Sequence, residues 1–258
     1  MSAVLGDIVP RGIAPPGGTS RGVALVTGAG QRVGQAIAIA LGGQGWRVAV
    51  HHHGSADGAD ETVARIREAG GEARAMRADL RDAEAAPTLI HSVLEAFGRI
   101  DVLVNSAAGM VRTPIGATTA EQFDAILALN LRAPFLLAQT AAGVMRDGSV
   151  IVNIADHMAD EPWPDYLVHG VSKAGVVALT RHLAAALAPR VRVNAVAPGF
   201  VLAPVGMPAD AAERFAADTP MRRIGAPEDV VQAVAYLIDA PYVTGEILHV
   251  DGGRGVRR

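Results

Sequence analysis

The chain has 258 residues, half of them hydrophobic and 19% charged, with a formal net charge of −3 and no cysteine. That length accommodates one sizeable α/β domain, and the missing cysteines exclude disulfides and thiol catalysis. With no block of like charges, no basic-then-apolar leader and no unbroken apolar run of bilayer length, the sequence predicts a cytoplasmic protein that binds neither nucleic acid nor membrane.

Residues 1–20 are rich in proline and glycine and lack periodicity, which predicts a mobile arm with no assigned function. From residue 21 to residue 258 short β-rich runs alternate with longer helical patterns, and no linker-like composition interrupts them. The predicted strands are Val23 to Val26, Arg47 to Val50, Glu72 to Arg77, Ile100 to Val104, Ser149 to Ile154, Val191 to Val196 and Glu246 to Val250. This alternation predicts a single α/β domain: a doubly wound, seven-stranded parallel sheet of Rossmann type with helices on both faces. Ligands of such sheets bind beyond the carboxyl ends of the strands, so the segments after each strand are where chemistry is sought.

The first strand runs into Thr27-Gly28-Ala29-Gly30-Gln31-Arg32-Val33-Gly34, and the apolar pattern then turns helical through Ile37 and Leu41. Glycines at this place permit a tight turn and the close approach of a pyrophosphate to a helix N-terminus. The second strand ends in His51-His52-His53-Gly54-Ser55, with no acid before Asp57 to take a ribose 2′-hydroxyl. Arg32, His53 and Ser55 instead offer a cation and hydrogen-bond donors to a 2′-phosphate, which favours NADPH over NADH. The three histidines are not read as a metal site. Alternate side chains on a strand face opposite ways, and no further ligand stands at a telling spacing.

In Tyr166-Leu-Val-His169-Gly-Val-Ser-Lys173, at the head of a long apolar helix, the i, i+4 spacing places the His169 imidazole and the Lys173 ammonium on one helix face. Tyr166 leans the same way.

From about Gly22 to Gly253 the chain resembles the short-chain dehydrogenase/reductases. The residues that carry the resemblance are Thr27-Gly28-x-x-x-Arg32-x-Gly34, Asp79-Leu80, Asn105-Ser-Ala-Ala, Asn130, Lys173, Asn194-Ala-Val-Ala-Pro198-Gly199 and the C-terminal Tyr242-Val-Thr-Gly-Glu-Ile-Leu-His-Val-Asp-Gly-Gly. The resemblance implies Asp79 and Leu80 near adenine, Asn105 and Ala107 along the cofactor, Lys173 on the nicotinamide ribose, and Pro198, Gly199 and Val201 by the nicotinamide amide. Gly28, Gly30, Arg32, Val33, His53, Gly54 and Ser55 complete the expected NADP(H) site.

Three departures from the common family pattern stand out: Arg32 for the middle glycine, His53-Gly-Ser55 after the second strand, and Asp156 where most members carry a serine. The combination is similar to pteridine reductases and dihydromonapterin reductases, which use an Asp, a Tyr and a Lys with NADPH. Here His169 stands in place of the tyrosine. The resemblance then implies a catalytic set of Asn130, Asp156, His169 and Lys173, with Asn130 holding a water that relays protons to Lys173. An imidazolium is a competent general acid near neutral pH. Because histidine is shorter than tyrosine, a bridging water or Asp156 itself would complete the reach, and Tyr166 is a second route.

Pocket-wall residues are expected from the loops after the fourth, fifth and sixth strands: Met110, Val111 and Arg112; His157, Met158 and Trp163; Phe200, Leu202, Met207 and Phe215, with Tyr166 as a substrate contact. Trp163, between Pro162 and Pro164, is the stacking surface for a flat heteroaromatic substrate. The reading is therefore an NADPH-dependent reductase, with a pterin-like or cyclic C=N substrate first and a ketone second. The alternative is an NADP-binding scaffold or sensor without turnover. The family resemblance implies a homotetramer, to whose burial the runs Phe135-Leu-Leu-Ala and Val176-Val-Ala-Leu-Thr are suited.

Overall fold

A computed structural model of the chain describes residues 20–202 and 209–256. The predicted mobile arm, apart from Ser20, and the pocket residue Met207 lie outside the described residues.

Seven strands form one parallel sheet: β1 (Gly22–Val26), β2 (Trp46–His52), β3 (Ala73–Arg77), β4 (Val102–Asn105), β5 (Ser149–Ile154), β6 (Val191–Pro198) and β7 (Ile247–Val250). Their order across the sheet is β3-β2-β1-β4-β5-β6-β7. The direction of winding reverses between β1 and β4, which leaves a crevice above their carboxyl ends.

Alternation along the strands supplies both cores. In β1, Ala24 and Val26 face α1 (Arg32–Gly43), α2 (Ala56–Glu68) and α8 (Pro227–Asp239). Val23 and Leu25 of the same strand face α3 (Ala85–Phe97) and α5 (Ala133–Ala142) on the other side. Every β1 residue is buried, as a central strand covered on both faces requires. Each fully buried Val or Leu contributes about 1.5–3 kcal/mol, so the sheet needs no polar scaffolding beneath the site.

The strand ends differ slightly from the sequence reading. β2 continues through His52, β3 starts at Ala73, β4 runs from Val102 to Asn105, and β7 starts at Ile247. Pairing sets these limits: His51 and His52 are in register with Met76 and Arg77, and Asn105 with Asn153, although their side chains are polar.

The helices α4 (Ala120–Leu127) and α5 are joined by a π-helical segment, Ala128–Arg132. The whole run Ala120–Ala142 is long and apolar enough by length and composition to cross a membrane, contrary to the sequence reading. Ile126, Asn130, Leu137 and Ala141 of this run are buried within the protein, while Phe123 and Phe135 are exposed. The remaining helices are α6 (Leu167–Leu187) and α7 (Ala209–Asp218).

Candidate active site

The glycine turn after β1 is fastened from three sides. Thr27 Oγ1 accepts the amides of Ser106 and Ala107, both at 3.0 Å, which ties the turn to the loop after β4. Gly28 adopts φ 66°, and a Cβ there would lie 2.8 Å from Ala107 Cα. A Cβ on Gly34 would lie 2.3 Å from the Gly28 carbonyl oxygen. Both positions therefore need glycine, one for its backbone conformation as well as its size.

The third fastening is His51. Its Nδ1 accepts the Gly28 amide at 3.2 Å, while Nε2 faces the Ala78 carbonyl at 3.2 Å. One nitrogen must accept and the other donate, so the ring is the neutral Nε2–H tautomer. Burial pushes its pKa down to about 4, against the Ala78 hydrogen bond and with help from His52 and His53.

At the start of α1 the Gln31 side chain caps nothing, and no acid stands in the first turn. The first-turn amides are thus left to an anion, as a pyrophosphate site requires. Gln31, Gly28 and Ala107 border two adjoining cavities. The first also presents His53, Gly54, Ser55, Asp79 and Leu80. There His53 Nε2 lies 3.6 Å from Asp79. Arg81 clasps the Asp79 carboxylate with contacts of 2.9 and 2.7 Å and, as the largest influence, pulls its pKa down to about 2.

The second cavity, of about 370 Å³, contains the reacting end, with Asp156, His157, His169 and Lys173 in its wall. Asp156 caps a short 3₁₀ turn, His157–Ala159, by accepting the Met158 amide at 2.8 Å. His157 Nδ1 lies 3.1 Å from Oδ1 of that carboxylate, and His169 Nε2 lies 3.6 Å from Oδ2. Burial opposes ionisation of Asp156, but hydrogen bonding to the two histidines outweighs it and holds the carboxyl far below the usual carboxylate range. Asp156 is therefore a poor proton donor in its own right.

Lys173 is buried and donates to the Ile154 carbonyl at 2.7 Å. Burial lowers its pKa to about 8, with Asp156 pulling the other way.

His169 Nδ1 lies 3.1 Å from the Gly109 carbonyl and 3.4 Å from Asn130 Nδ2, and Nε2 lies 3.6 Å from Asp156 Oδ2, beyond hydrogen-bond distance. Asn130, in the π segment, aligns this contact from behind. It accepts the Gly109 amide at 2.8 Å and donates to Gly109 oxygen and to Ser172 Oγ, each at 3.0 Å. The head of α6 is fixed by Thr113, whose hydroxyl accepts the Val168 amide at 3.1 Å.

The profile of the enoyl-(acyl carrier protein) reductase family matches residues 28–254. A 3β-hydroxysteroid dehydrogenase 1 of Eggerthella lenta is 37% identical over 239 residues, covering 89% of this chain and 92% of its own. A 3-oxoacyl-[acyl-carrier-protein] reductase of Synechocystis is 37% identical over 237 residues, covering 90% and 96%. Among solved structures, the angucycline C-6 ketoreductase LanV with bound NADP superposes with a TM-score of 0.87 at 31% identity, over 92% of this chain and 97% of its own. The chain belongs to the short-chain dehydrogenase/reductase family.

For a short-chain dehydrogenase/reductase, several side chains lie in places the sequence reading did not foresee. Arg32, at φ 54°, does not converge with His53 and Ser55: its guanidinium reaches the Leu202 carbonyl at 3.2 Å and borders the other cavity. Ser55 is held beneath Gly30, where an added Cβ would come within 2.4 Å of its hydroxyl. Asn130 is committed to Gly109 and Ser172, so it braces His169 where a water relay to Lys173 was expected.

Asn105 donates to Asn153 at 2.8 Å and keeps a buried oxygen with no hydrogen-bond partner among the described residues, a polar atom that a cofactor would satisfy. Val33, Pro198, Gly199 and Val201 line the reacting cavity, as do Met110, Met158, Tyr166, Phe200 and Leu202. Val111 and Arg112 do not; Arg112 pairs with Asp165 at 2.7 Å. Among the described residues no group of three His, Cys, Asp or Glu side chains could hold a metal ion.

The far wall is aromatic. Trp163 stacks on Phe215 of α7 at 5.7 Å, and Phe215 on Phe200 at 4.5 Å with planes 3° apart. Arg254, buried near the C-terminus, lies over both Trp163 and Phe215 and is clasped by Glu161 at 2.7 and 2.9 Å. Neither periodicity nor a local motif marks Arg254, because its partners are remote in the chain.

Proposed function

We propose that the protein is an NADPH-dependent reductase of a C=O bond in a small substrate with a flat ring system. The supporting observation is the Asp156 carboxylate with an imidazole beside each oxygen, next to buried Lys173, in the cavity that adjoins the glycine turn. NADPH, when bound, supplies the hydride. Gly28, Gly30 and the first turn of α1 hold its pyrophosphate, and His53 faces the 2′-phosphate. Asp79 and Leu80 border the adenine, Asn105 and Ala107 follow the cofactor, Lys173 takes the ribose, and Pro198, Gly199 and Val201 take the amide. The relative solved with NADP supports the choice of phosphate-bearing cofactor.

The chain's own residues supply the electrostatics. Charged Lys173 and the imidazoles beside Asp156 face the cavity where negative charge develops on the substrate oxygen. The stacked Trp163, Phe215 and Phe200 offer a flat apolar face to the rest of the molecule. Ketones come first because the relatives are named for ketoacyl, ketone and hydroxysteroid chemistry. A pterin-like or cyclic C=N substrate comes second, favoured by Arg32 and Asp156, the residues shared with pteridine reductases.

The test is loss of NADPH absorbance with cyclic ketones, β-ketoesters, cyclic imines and dihydropterins, beside a direct titration of cofactor binding. Turnover of ketones is the expected result. Turnover of imines or pterins alone would select the second reading, and tight NADPH binding without any turnover would select the scaffold or sensor. The homotetramer implied by the family is part of the same proposal. Exposed Phe123, Phe135, Leu167 and Val171 on α4, α5 and α6 are apolar surface suited to it.

A further inference from the structure

Two imidazoles flank the Asp156 carboxylate, and they differ in how they meet it. His169 Nδ1 lies 3.1 Å from the Gly109 carbonyl and 3.4 Å from Asn130 Nδ2, and its Nε2, 3.6 Å from Asp156 Oδ2, makes no hydrogen bond among the described residues. That Nε2 is turned to the carboxylate at ion-pair distance. His157 has Nδ1 committed twice, to Asp156 at 3.1 Å and to the Pro198 carbonyl at 3.3 Å. Both are acceptors, so Nδ1 carries a proton. Its Nε2 is buried and has no hydrogen-bond partner among the described residues. The residue is 7% exposed, it borders the reacting cavity, and its ring stands edge-on to Trp163 at 5.6 Å. A buried polar atom without a partner is costly unless a ligand satisfies it.

We propose that His157 is a further catalytic residue, whose Nε2 meets the substrate heteroatom and hands it the proton, with Asp156 fixing the ring and His169 positioning Asp156. This rests on the reading that the cavity reduces a carbonyl. Hydride adds to the carbonyl carbon, the C=O π pair moves to oxygen, and oxygen takes the proton from Nε2 of the His157 imidazolium. The ring is left neutral, with Nδ1–H still on Asp156, and regains its proton from solvent when the alcohol departs. The charged and titratable groups around the ring are Asp156 on its own turn, and His169 and Lys173 from α6. Behind Trp163 stands the Arg254–Glu161 pair. Asp156 is the anion in direct contact, 3.1 Å from Nδ1.

In His157→Phe, kcat/KM for a ketone that the parent reduces is expected to fall by about 10² to 10⁴, with the NADPH dissociation constant unchanged within about twofold. His157→Gln, which keeps polarity but cannot carry the charge, is expected to lose most of the same activity and to flatten the pH profile. His169→Phe is expected to lose less than His157→Phe. A second measurement needs no turnover: p-nitrophenol, a mimic of the product oxygen, is titrated into the NADP⁺-loaded protein. The parent is expected to bind it at least about ten-fold more tightly than His157→Phe, a difference of about 1.4 kcal/mol. If a parent that reduces ketones is matched in both rate and phenol affinity by His157→Phe, the inference is overturned. If the parent reduces nothing yet binds the phenol through His157, the reductase reading fails and the contact with the ligand oxygen stands. If it neither reduces nor binds, both fail.

Discussion

At position 169 the imidazole ends at Asp156, its Nε2 3.6 Å from Oδ2. A tyrosine grafted there would carry a hydroxyl further out, so His169→Tyr is expected to retain or raise ketone reduction; a fall of more than about ten-fold would show that its partners require an imidazole. Lys173 sets the alkaline side. Its pKa of about 8 lies below the usual lysine range because burial disfavours its charge. Activity that needs the ammonium therefore falls as pH rises through about 8, and kcat/KM for the free enzyme should show that limb. In Lys173→Met the limb is expected to vanish, together with most of the activity. His51 makes a stability prediction with the opposite dependence on pH. Its folded-state value of about 4 lies below the ordinary histidine value of 6.5, so the unfolded chain binds the proton more readily. Stability is then intact above about 6.5 and is lost as pH falls toward 4, by up to about 3 kcal/mol. Urea midpoints between pH 7 and 4 measure this, and a His51→Gln variant should show a shallower decline.

Among the elements, the βα turn after β1 and the ends of β2 and β3 decide the cofactor. No acid faces the cavity from the His53 to Ser55 stretch, and the one carboxylate there, Asp79, is clasped by Arg81. NADPH is expected to bind at least ten-fold, about 1.4 kcal/mol, more tightly than NADH. His53→Ala is expected to weaken NADPH and leave NADH nearly unchanged, because only the 2′-phosphate meets that side chain. Arg32→Ala separates two arrangements: a selective loss for NADPH shows that the guanidinium leaves Leu202 for the phosphate, and no loss shows that it stays. Equal affinities of the parent for the two cofactors would sink the assignment.

For the whole molecule, the exposed apolar residues on α4, α5 and the head of α6 are the feature that packing within one chain leaves unused. Light scattering on the eluted protein is expected to give four subunits. A Phe135→Glu and Val171→Glu double variant should shift that distribution toward smaller species; an unchanged tetramer would place the interface elsewhere. Ala120–Ala142 buries one side, with Ile126, Leu137 and Ala141, and exposes Phe123 and Phe135, a division that length and hydropathy alone do not report.

Short-range chemistry is what the sequence by itself determined. Strand alternation, the glycine turn and the i, i+4 placement of His169 and Lys173 depend on residues near one another in the chain, and each is found in the structure at the expected place, with strand ends shifted by a residue or two. The family pattern named Asp156, Asn130 and Asn105 for the same reason, since each follows or lies within one local motif. Tertiary structure alone decided which atoms of those residues remain free. Arg32 turned to Leu202, Asn130 spent its amide on Gly109, Asp156 gathered two histidines thirteen and one residues away, and Arg254 crossed to Trp163 and Glu161. Hydrogen bonds between remote segments depend on distances that packing sets, and no local periodicity encodes them.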